Sequence, residues 1–161
     1  MRNYETQPLS SDEEASVLAD LNQEIVNAKL RTDWDLGSDS GSLYFSRDTL
    51  ILTPFELSKL FKLPESFFVL PEEAKIPSIT ENPMLRNRFK QLVGIMCFLQ
   101  RVIPDVFSRD DFSRTRQGIF EQESPLQLLS TREPVQAYTI IKEPAKFWGF
   151  RDTQIPRRSV F

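Results

Sequence analysis

The sequence predicts a mainly α-helical fold, a small bundle of helices, and three observations support that prediction. Apolar residues recur every three or four positions along most of the chain, which is the period of a helix with one buried face. Several of the eleven prolines follow Ser, Thr or Asn, an arrangement typical of helix starts. Only five glycines occur in 161 residues, fewer than a turn-rich β-sandwich or barrel needs.

The first region, residues 1–50, is predicted to hold an N-terminal helix and a polar loop. Ser11 and Glu14 have the spacing of a capping box, in which each side chain bonds the backbone amide of the other residue. Apolar residues at helical spacing follow, so we expect a helix over residues 12–30. Residues 31–42 are polar and predict a loop. Residues 43–52 are candidates for a short extended segment.

The second region, residues 51–161, is predicted to be a helical domain. Thr53-Pro54 begins a helix that must end before Pro64, and that proline opens a second short helix. Residues 53–70 therefore form a hairpin similar to a helix-turn-helix. The longest helix follows over residues 83–103, and its broad apolar stripe predicts that it is the central core helix.

Three more helices are predicted after the core helix. Either Ser108 or Asp110 is expected to cap the first, Ser124 starts the second, and the third begins at Pro134 and ends at Pro144. The tail that remains lies outside the predicted bundle. It carries aromatic and basic residues, namely Phe147, Trp148, Phe150, Arg157 and Arg158. Truncation at Pro144 is therefore expected to leave the fold largely intact.

The residue types present argue against catalysis. The chain has no histidine, which removes the commonest general base and metal ligand. Its five scattered glycines cannot form a phosphate-binding loop. The one cysteine, Cys97, lies among apolar residues, where burial would raise its pKa and leave an inert thiol. We therefore expect no enzyme activity, no metal and no cofactor; a small enzyme that uses carboxylates such as Asp110 or Glu121 is the alternative.

Composition further predicts a soluble cytoplasmic protein with no membrane partner. A single cysteine allows no intrachain disulfide, the N-terminus lacks an apolar signal segment, and the longest apolar run is too short to span a bilayer. The net charge is −3, with acids concentrated in residues 1–30 and bases in later segments. These segments could dock on each other, within one chain or between copies, or they could be ordinary solvated helix faces.

The hairpin of residues 53–70 looks like a helix-turn-helix of the Xre repressor type. Lys59 and Lys62 stand where they could contact phosphates, which predicts a role in binding DNA. The candidate recognition helix, residues 65–70, carries no Arg, Lys, Asn or Gln that could read base edges. A helical hairpin that serves packing alone is the alternative.

Residues 53–143 as a whole resemble the toxin-binding antitoxins of the Xre/MbcA/ParS type. In that family a helix-turn-helix precedes a long helix and then a small helical domain with a Pro-Leu-x-Leu-Leu signature. The run Ser124-Pro125-Leu126-Gln127-Leu128-Leu129 is similar to that signature. The long helix over residues 83–103 also stands in the place that the family order predicts.

The resemblance implies an antitoxin-like protein that binds and neutralises a RES-domain toxin, forms a homo-oligomer and represses its own promoter. In the family the C-terminal segment contacts the toxin. The residues that would then bind the partner are Leu126, Leu129, Phe147, Trp148, Phe150, Arg157 and Arg158. Two alternatives stay open. The tail aromatics could fold back over the bundle, and the chain could be a helical adaptor or assembly subunit with no DNA-binding role.

Overall fold

The computed structural model describes residues 9–32, 36, 39–65, 68, 82–116 and 122–154, and this part of the chain is mainly helical with no β-strand. The prediction of a small all-α bundle is confirmed. In chain order the helices are α1 (Ser11–Ala28), α2 (Asp39–Thr49), α3 (Pro54–Phe61), α4 (Pro83–Val102), α5 (Val106–Arg114), α6 (Pro125–Thr131) and α7 (Pro134–Gln154).

Helix starts follow the capping chemistry that the sequence carries. Thr53 accepts a hydrogen bond from the Glu56 amide at 3.2 Å, and the Glu56 carboxylate accepts one from the Thr53 amide at 3.0 Å. Ser124 forms the same reciprocal box before α6, and Asn82 caps α4. The box before α1 begins at Ser10, one residue earlier than predicted. Local hydrogen bonding therefore sets these four boundaries.

Helix α4 is the core of the bundle, as predicted, and the middle of this helix is buried on all of its faces. Every residue from Leu92 to Leu99 is buried, and α1, α2, α3, α5 and α7 all pack against this helix. Gly94 lies within this buried stretch, at the contact with α1. A Cβ on Gly94 would lie 2.9 Å from the Cβ of Leu21, so glycine allows α1 to cross α4 at close range.

Residues 39–49 form helix α2, so the expected short extended segment near residues 43–52 is wrong, and the predicted polar loop is shorter than expected. Phe45 and Leu50 are almost completely buried, and α2 packs against α4. The Thr49 hydroxyl donates a hydrogen bond to the Phe45 carbonyl at 2.8 Å, within the helix. Tertiary burial therefore determines the conformation of a segment whose composition favours turns.

Helix α5 begins earlier than predicted, because Asp105 and neither Ser108 nor Asp110 caps it. The Asp105 carboxylate accepts a hydrogen bond from the Ser108 amide at 2.9 Å. Pro104 ends the preceding helix, so the chain turns within three residues between α4 and α5. This tight connection places the first turn of α5 beside the C-terminal end of α4, where α7 also packs.

Helix α7 continues through Pro144 to Gln154, so the prediction that Pro144 ends it is wrong. A proline inside a helix removes one backbone hydrogen bond and costs about 3 kcal/mol. Packing offsets that cost, since Ala145 is fully buried directly after the proline and α7 contacts α1, α4, α5 and α6. The segment after Pro144 is therefore part of the bundle, and truncation there would remove core contacts.

The helix-turn-helix prediction concerns α3 and the residues after it. Leu57, Leu60 and Leu63 are buried, and Lys62 ends α3 in the left-handed conformation with φ of 59°. Of residues 66–81 the structure describes Phe68 alone, whose ring centroid lies 6.0 Å from that of Phe61. Most of the predicted second helix thus lies outside the described residues.

Two acids of α1 pair with bases of later helices. Glu24, itself buried, accepts two hydrogen bonds from the Arg101 guanidinium, at 2.7 and 3.0 Å. Asp20 lies 3.5 Å from the Lys142 ammonium on α7. Part of the acidic head therefore docks on basic segments within the same chain, which is one of the arrangements that the charge distribution predicted.

Candidate partner-binding surface

The C-terminal half of α7 exposes two large aromatic side chains. Phe147 is 66% exposed and Phe150 is 63% exposed. They lie three positions apart, which puts them on one side of the helix. Water therefore contacts two phenyl rings on a helix whose opposite side is packed against the bundle.

Trp148, which lies between these two phenylalanines, points towards the bundle instead. Its ring packs edge-to-face on the buried Phe112 with centroids 5.4 Å apart, and its indole Nε1 donates a hydrogen bond to the Ser108 hydroxyl at 3.1 Å. The Arg151 guanidinium lies over the indole ring, 4.8 Å from its centroid. The tail aromatics thus divide between the two predicted roles: Trp148 covers the bundle and the phenylalanines face solvent.

Gly149 fixes how closely the end of α7 approaches α4. A Cβ at this position would overlap the Val102 carbonyl oxygen and would lie 2.9 Å from the Val102 carbonyl carbon. These are backbone atoms at the end of α4, so no side-chain movement could relieve the overlap. Gly149 therefore seats the helix against α4, and that position orients its neighbours on either side.

A third exposed phenylalanine lies at the same end of the bundle. Phe107 is 70% exposed and directly precedes Ser108, whose hydroxyl accepts the hydrogen bond from Trp148. We call Phe107, Phe147 and Phe150 the aromatic end. Single exposed apolar residues are ordinary on protein surfaces, but these three phenylalanines each lie within two positions of a residue in the Trp148–Ser108 contact, and aromatic residues are enriched at protein interfaces.

The other predicted partner-binding residues do not join the aromatic end in the described structure. Leu129 is fully buried and belongs to the core, while Leu126 is half-buried on α6. Arg157 and Arg158 lie outside the described residues. Phe107 was not predicted from the sequence, because nothing local distinguishes an exposed phenylalanine from a buried one in a short helix.

The two lysines predicted to contact DNA make contacts within the chain. The Lys62 ammonium donates a hydrogen bond to the Ser130 carbonyl at 2.9 Å, near the C-terminal end of α6. The Lys59 ammonium lies over the ring of Phe55, 4.8 Å from its centroid. Both side chains are exposed, but the Lys62 charge is used to bind a helix end, which lowers its availability for a phosphate.

Two arginines connect the C-terminal ends of different helices, an arrangement that the sequence did not predict. The guanidinium of Arg109, a buried residue, donates to the carbonyls of Thr49 in α2 and Ile103 after α4, at 2.8 and 2.9 Å. Arg88 donates to Leu60 of α3 and Leu129 of α6, both at 2.9 Å. Carbonyls at helix ends lack partners within their own helix and carry partial negative charge, so one cation stabilises two helices.

Arg114 joins the α2–α3 connection to α5. Its guanidinium binds the Glu56 carboxylate at 2.6 Å and the Asp110 carboxylate at 3.0 Å, and it also donates to the Ile51 carbonyl. The hydrogen bond from Arg114 holds the pKa of Glu56 below its ordinary value. These carboxylates are bound by a cation that cannot deprotonate, so the geometry suits a structural clasp better than acid–base chemistry.

The cysteine and the acidic side chains of the described residues offer neither a reactive thiol nor a metal site. Cys97 is fully buried, and burial raises the pKa of its thiol to about 12, as the sequence predicted in direction. Across the described ranges no three Asp, Glu or Cys side chains gather as metal ligands would. Nor does any helix in that part of the chain have the length and apolar character needed to cross a membrane.

Comparison with known proteins does not assign the chain to a family. The chain matches no known family model, no curated protein and no solved structure. The likeness to antitoxins therefore rests on the residues of the Pro-Leu-x-Leu-Leu run and on the order of the helices.

Proposed function

We propose that this chain is a non-catalytic protein-binding module and that its partner binds the aromatic end. The observation that carries the proposal is the alternation along α7: Trp148 is fixed against α5 while Phe147 and Phe150, on either side of it, are more than 60% exposed. Rings held on a packed helix lose little conformational freedom on binding. Full burial of each phenylalanine contributes roughly 1.5–3 kcal/mol.

The partner is expected to present an apolar cleft with a carboxylate at its rim. Arg151 follows Phe150 directly and its guanidinium covers the indole of Trp148, so a positive charge accompanies the exposed rings. Aromatic residues with arginine are the types enriched at binding hot spots. An acidic rim on the partner would match that charge and favour correct orientation.

The class of partner that we propose first is a RES-type toxin, with this chain as an antitoxin-like inhibitor. In the antitoxins that residues 53–143 resemble, the C-terminal segment contacts the toxin, and the aromatic end is built largely by the C-terminal helix of this chain. Homo-oligomerisation and repression of the chain's own promoter remain further parts of that proposal. Repression would use the hairpin of residues 53–70, and most of its second helix lies outside the described residues.

The second candidate is a helical adaptor or assembly subunit with no DNA-binding role. One observation favours it: Lys62, one of the two lysines available for phosphates near α3, donates its hydrogen bond to Ser130 within the chain. An adaptor would use the same aromatic end, so the two candidates differ in the identity of the partner and in DNA binding. Promoter binding that weakens steeply with salt would separate them.

The test begins with capture of partners from the native host by the full-length tagged chain, followed by titration calorimetry with the purified partner. The Phe147→Ser/Phe150→Ser variant is expected to bind at least tenfold more weakly, because two exposed anchors are lost. Leu30→Ser is the matched control, since Leu30 is 88% exposed in the turn that follows α1 and lies outside the aromatic end. Circular dichroism melts would verify that both variants fold.

Each outcome has a definite meaning. A small stoichiometric toxin that loses affinity only for the double variant supports the antitoxin proposal, whereas a large assembly without a toxin supports the adaptor. Equal affinity of wild type and double variant would reject the aromatic end as the binding surface. Equal losses in the double variant and Leu30→Ser would point to a general effect of exposed apolar residues.

A further inference from the structure

A groove of about 400 Å³ opens between α1, α2 and α4, distant from the aromatic end. It is lined by residues of the N-terminal half of α4, including Phe89 and Val93. Phe89 precedes Val102, where α7 is seated, by thirteen residues, which is about 20 Å along a helix. The groove is therefore separate from the surface proposed above, and its volume lies in the range typical of small-molecule sites.

The floor of the groove is apolar. Phe89 is 4% exposed and Val93 is 2% exposed, so their side chains reach the groove with only a small part of their surface. Ile25, half-buried, and Val26, 55% exposed, supply the wall from α1. An apolar body lying in the groove would cover these side chains without separating any helices.

Three basic residues line the same groove, and none of its described lining residues is acidic. Lys29 comes from the end of α1, and Arg86 and Lys90 come from α4. Neither lysine forms an ion pair in the part of the chain that the structure describes. Positive charge in this half of α4 gains nothing from the helix dipole, which favours cations at the opposite end.

The neighbouring bases show that the chain ordinarily uses such charges internally. Arg88 binds the carbonyls of Leu60 and Leu129, and Arg101 binds the Glu24 carboxylate. Lys29 and Lys90 differ from these arginines, because both lysines lie beside the apolar floor of the groove and neither is paired with an acid among the residues that the structure describes. A partly enclosed groove whose described lining carries two lysine charges without an acid attracts an anion and disfavours a cation of the same shape.

We propose that this groove binds a small amphipathic carboxylate, with its apolar body on Phe89, Val93 and Ile25 and its carboxylate between Lys29 and Lys90. The size of the groove suits a medium-length acyl chain or a single aromatic ring system. The site is independent of the aromatic end, so the partner-binding proposal can fail without affecting it.

The test is titration calorimetry of the full chain with octanoate, using octanol and octylammonium as neutral and cationic analogues of the same length. Octanoate is expected to saturate one site, with octanol at least tenfold weaker and octylammonium without measurable binding. Lys29→Gln/Lys90→Gln is expected to weaken octanoate at least tenfold. Both lysines are exposed, so this variant should fold normally.

Lys59→Gln is the matched control, because Lys59 is an exposed lysine outside the groove, and it should bind octanoate like wild type. Raised salt should weaken octanoate binding, since the partners attract electrostatically. Equal affinity for octanoate and octanol would overturn the proposal, as would unchanged octanoate binding by the double lysine variant. Binding of an acidic amphipathic peptide by the groove, with no octanoate binding, would make it a protein-docking site instead.

Discussion

Replacing Arg109 by methionine tests whether one buried cation stabilises two helix ends. Methionine retains most of the apolar volume of the side chain but removes its three hydrogen bonds, to Thr49, Ile103 and Pro104. The Thr49 and Ile103 bonds are buried, whereas Pro104 is exposed and its carbonyl can bind water instead. Each buried carbonyl left without a donor costs about 1–3 kcal/mol.

Removing the cation also relieves a desolvation cost, since burial lowers the pKa of Arg109. This relief offsets part of the loss, so we expect Arg109→Met to reduce the free energy of unfolding by about 3 kcal/mol. Urea denaturation followed by circular dichroism would measure it. Arg116→Met, at an exposed arginine, should change stability by less than about 0.5 kcal/mol. If Arg109→Met lowered the free energy of unfolding by less than about 1 kcal/mol, with the slope of that free energy against urea concentration unchanged, the reasoning would be refuted.

Three further predictions concern single positions. Gly149→Ala should lower the free energy of unfolding by about 2–3 kcal/mol, because the alanine Cβ would overlap the Val102 carbonyl. Thermal melts and the rate of tryptic cleavage within α7 would measure the loss, and a variant that matched wild type in both assays would contradict the prediction. Glu56→Gln should be less stable than wild type near neutral pH, and the difference should shrink as pH falls below about 4. The reason is that Arg114 holds the pKa of Glu56 in the folded state below its value in the unfolded state. The stability that the Glu56–Arg114 pair contributes is therefore present above the unfolded-state pKa and is lost as pH falls through the folded-state pKa. Urea melts at several pH values would contradict this if the stability difference between variant and wild type stayed constant. Cys97, with a thiol pKa raised to about 12, should react with a thiol reagent only after unfolding, and stoichiometric labelling of the folded chain would contradict its burial.

Local chemistry made most helix starts predictable from the sequence. The Thr53 and Ser124 boxes and the Asn82 cap each involve residues two or three positions apart, so the pattern contains the whole interaction. The long core helix was predictable for the same reason, since its period is visible in the chain. Elements with strong local signals therefore needed no knowledge of their neighbours.

The features that the sequence did not predict depend on contacts between residues that are far apart in the chain. Helix α2 contains turn-favouring residues, and burial of Phe45 in the bundle accompanies its helical conformation. Pro144 would end an isolated helix, but tertiary packing carries α7 through it. Arg109 lies sixty residues from Thr49, so sequence reasoning could count the charge but not identify its acceptor.

The candidate surface was predictable in part. The tail aromatics stood out in the sequence, but the division between Trp148 and its phenylalanine neighbours required a tertiary contact with Ser108. Phe107 became relevant only because α5 begins beside that contact. The groove, by contrast, was not predictable: Lys90 belongs to a later segment in which bases predominate, whereas Lys29 lies in the acid-rich first thirty residues, and only the packing of α1 on α4 brings the two lysines to one groove.

The complete burial of residues 92–99 has a consequence for how the molecule opens. Backbone amides in this stretch contact solvent only when the surrounding helices separate, so their hydrogen exchange should require a free energy close to that of global unfolding. Amides near residue 84, where Met84 is 82% exposed, should exchange through local fraying. Within α4 the free energy of amide opening should therefore rise from a low value at the N-terminal end to the free energy of global unfolding at the centre. Exchange at the centre thus measures the cooperative unfolding of the whole bundle.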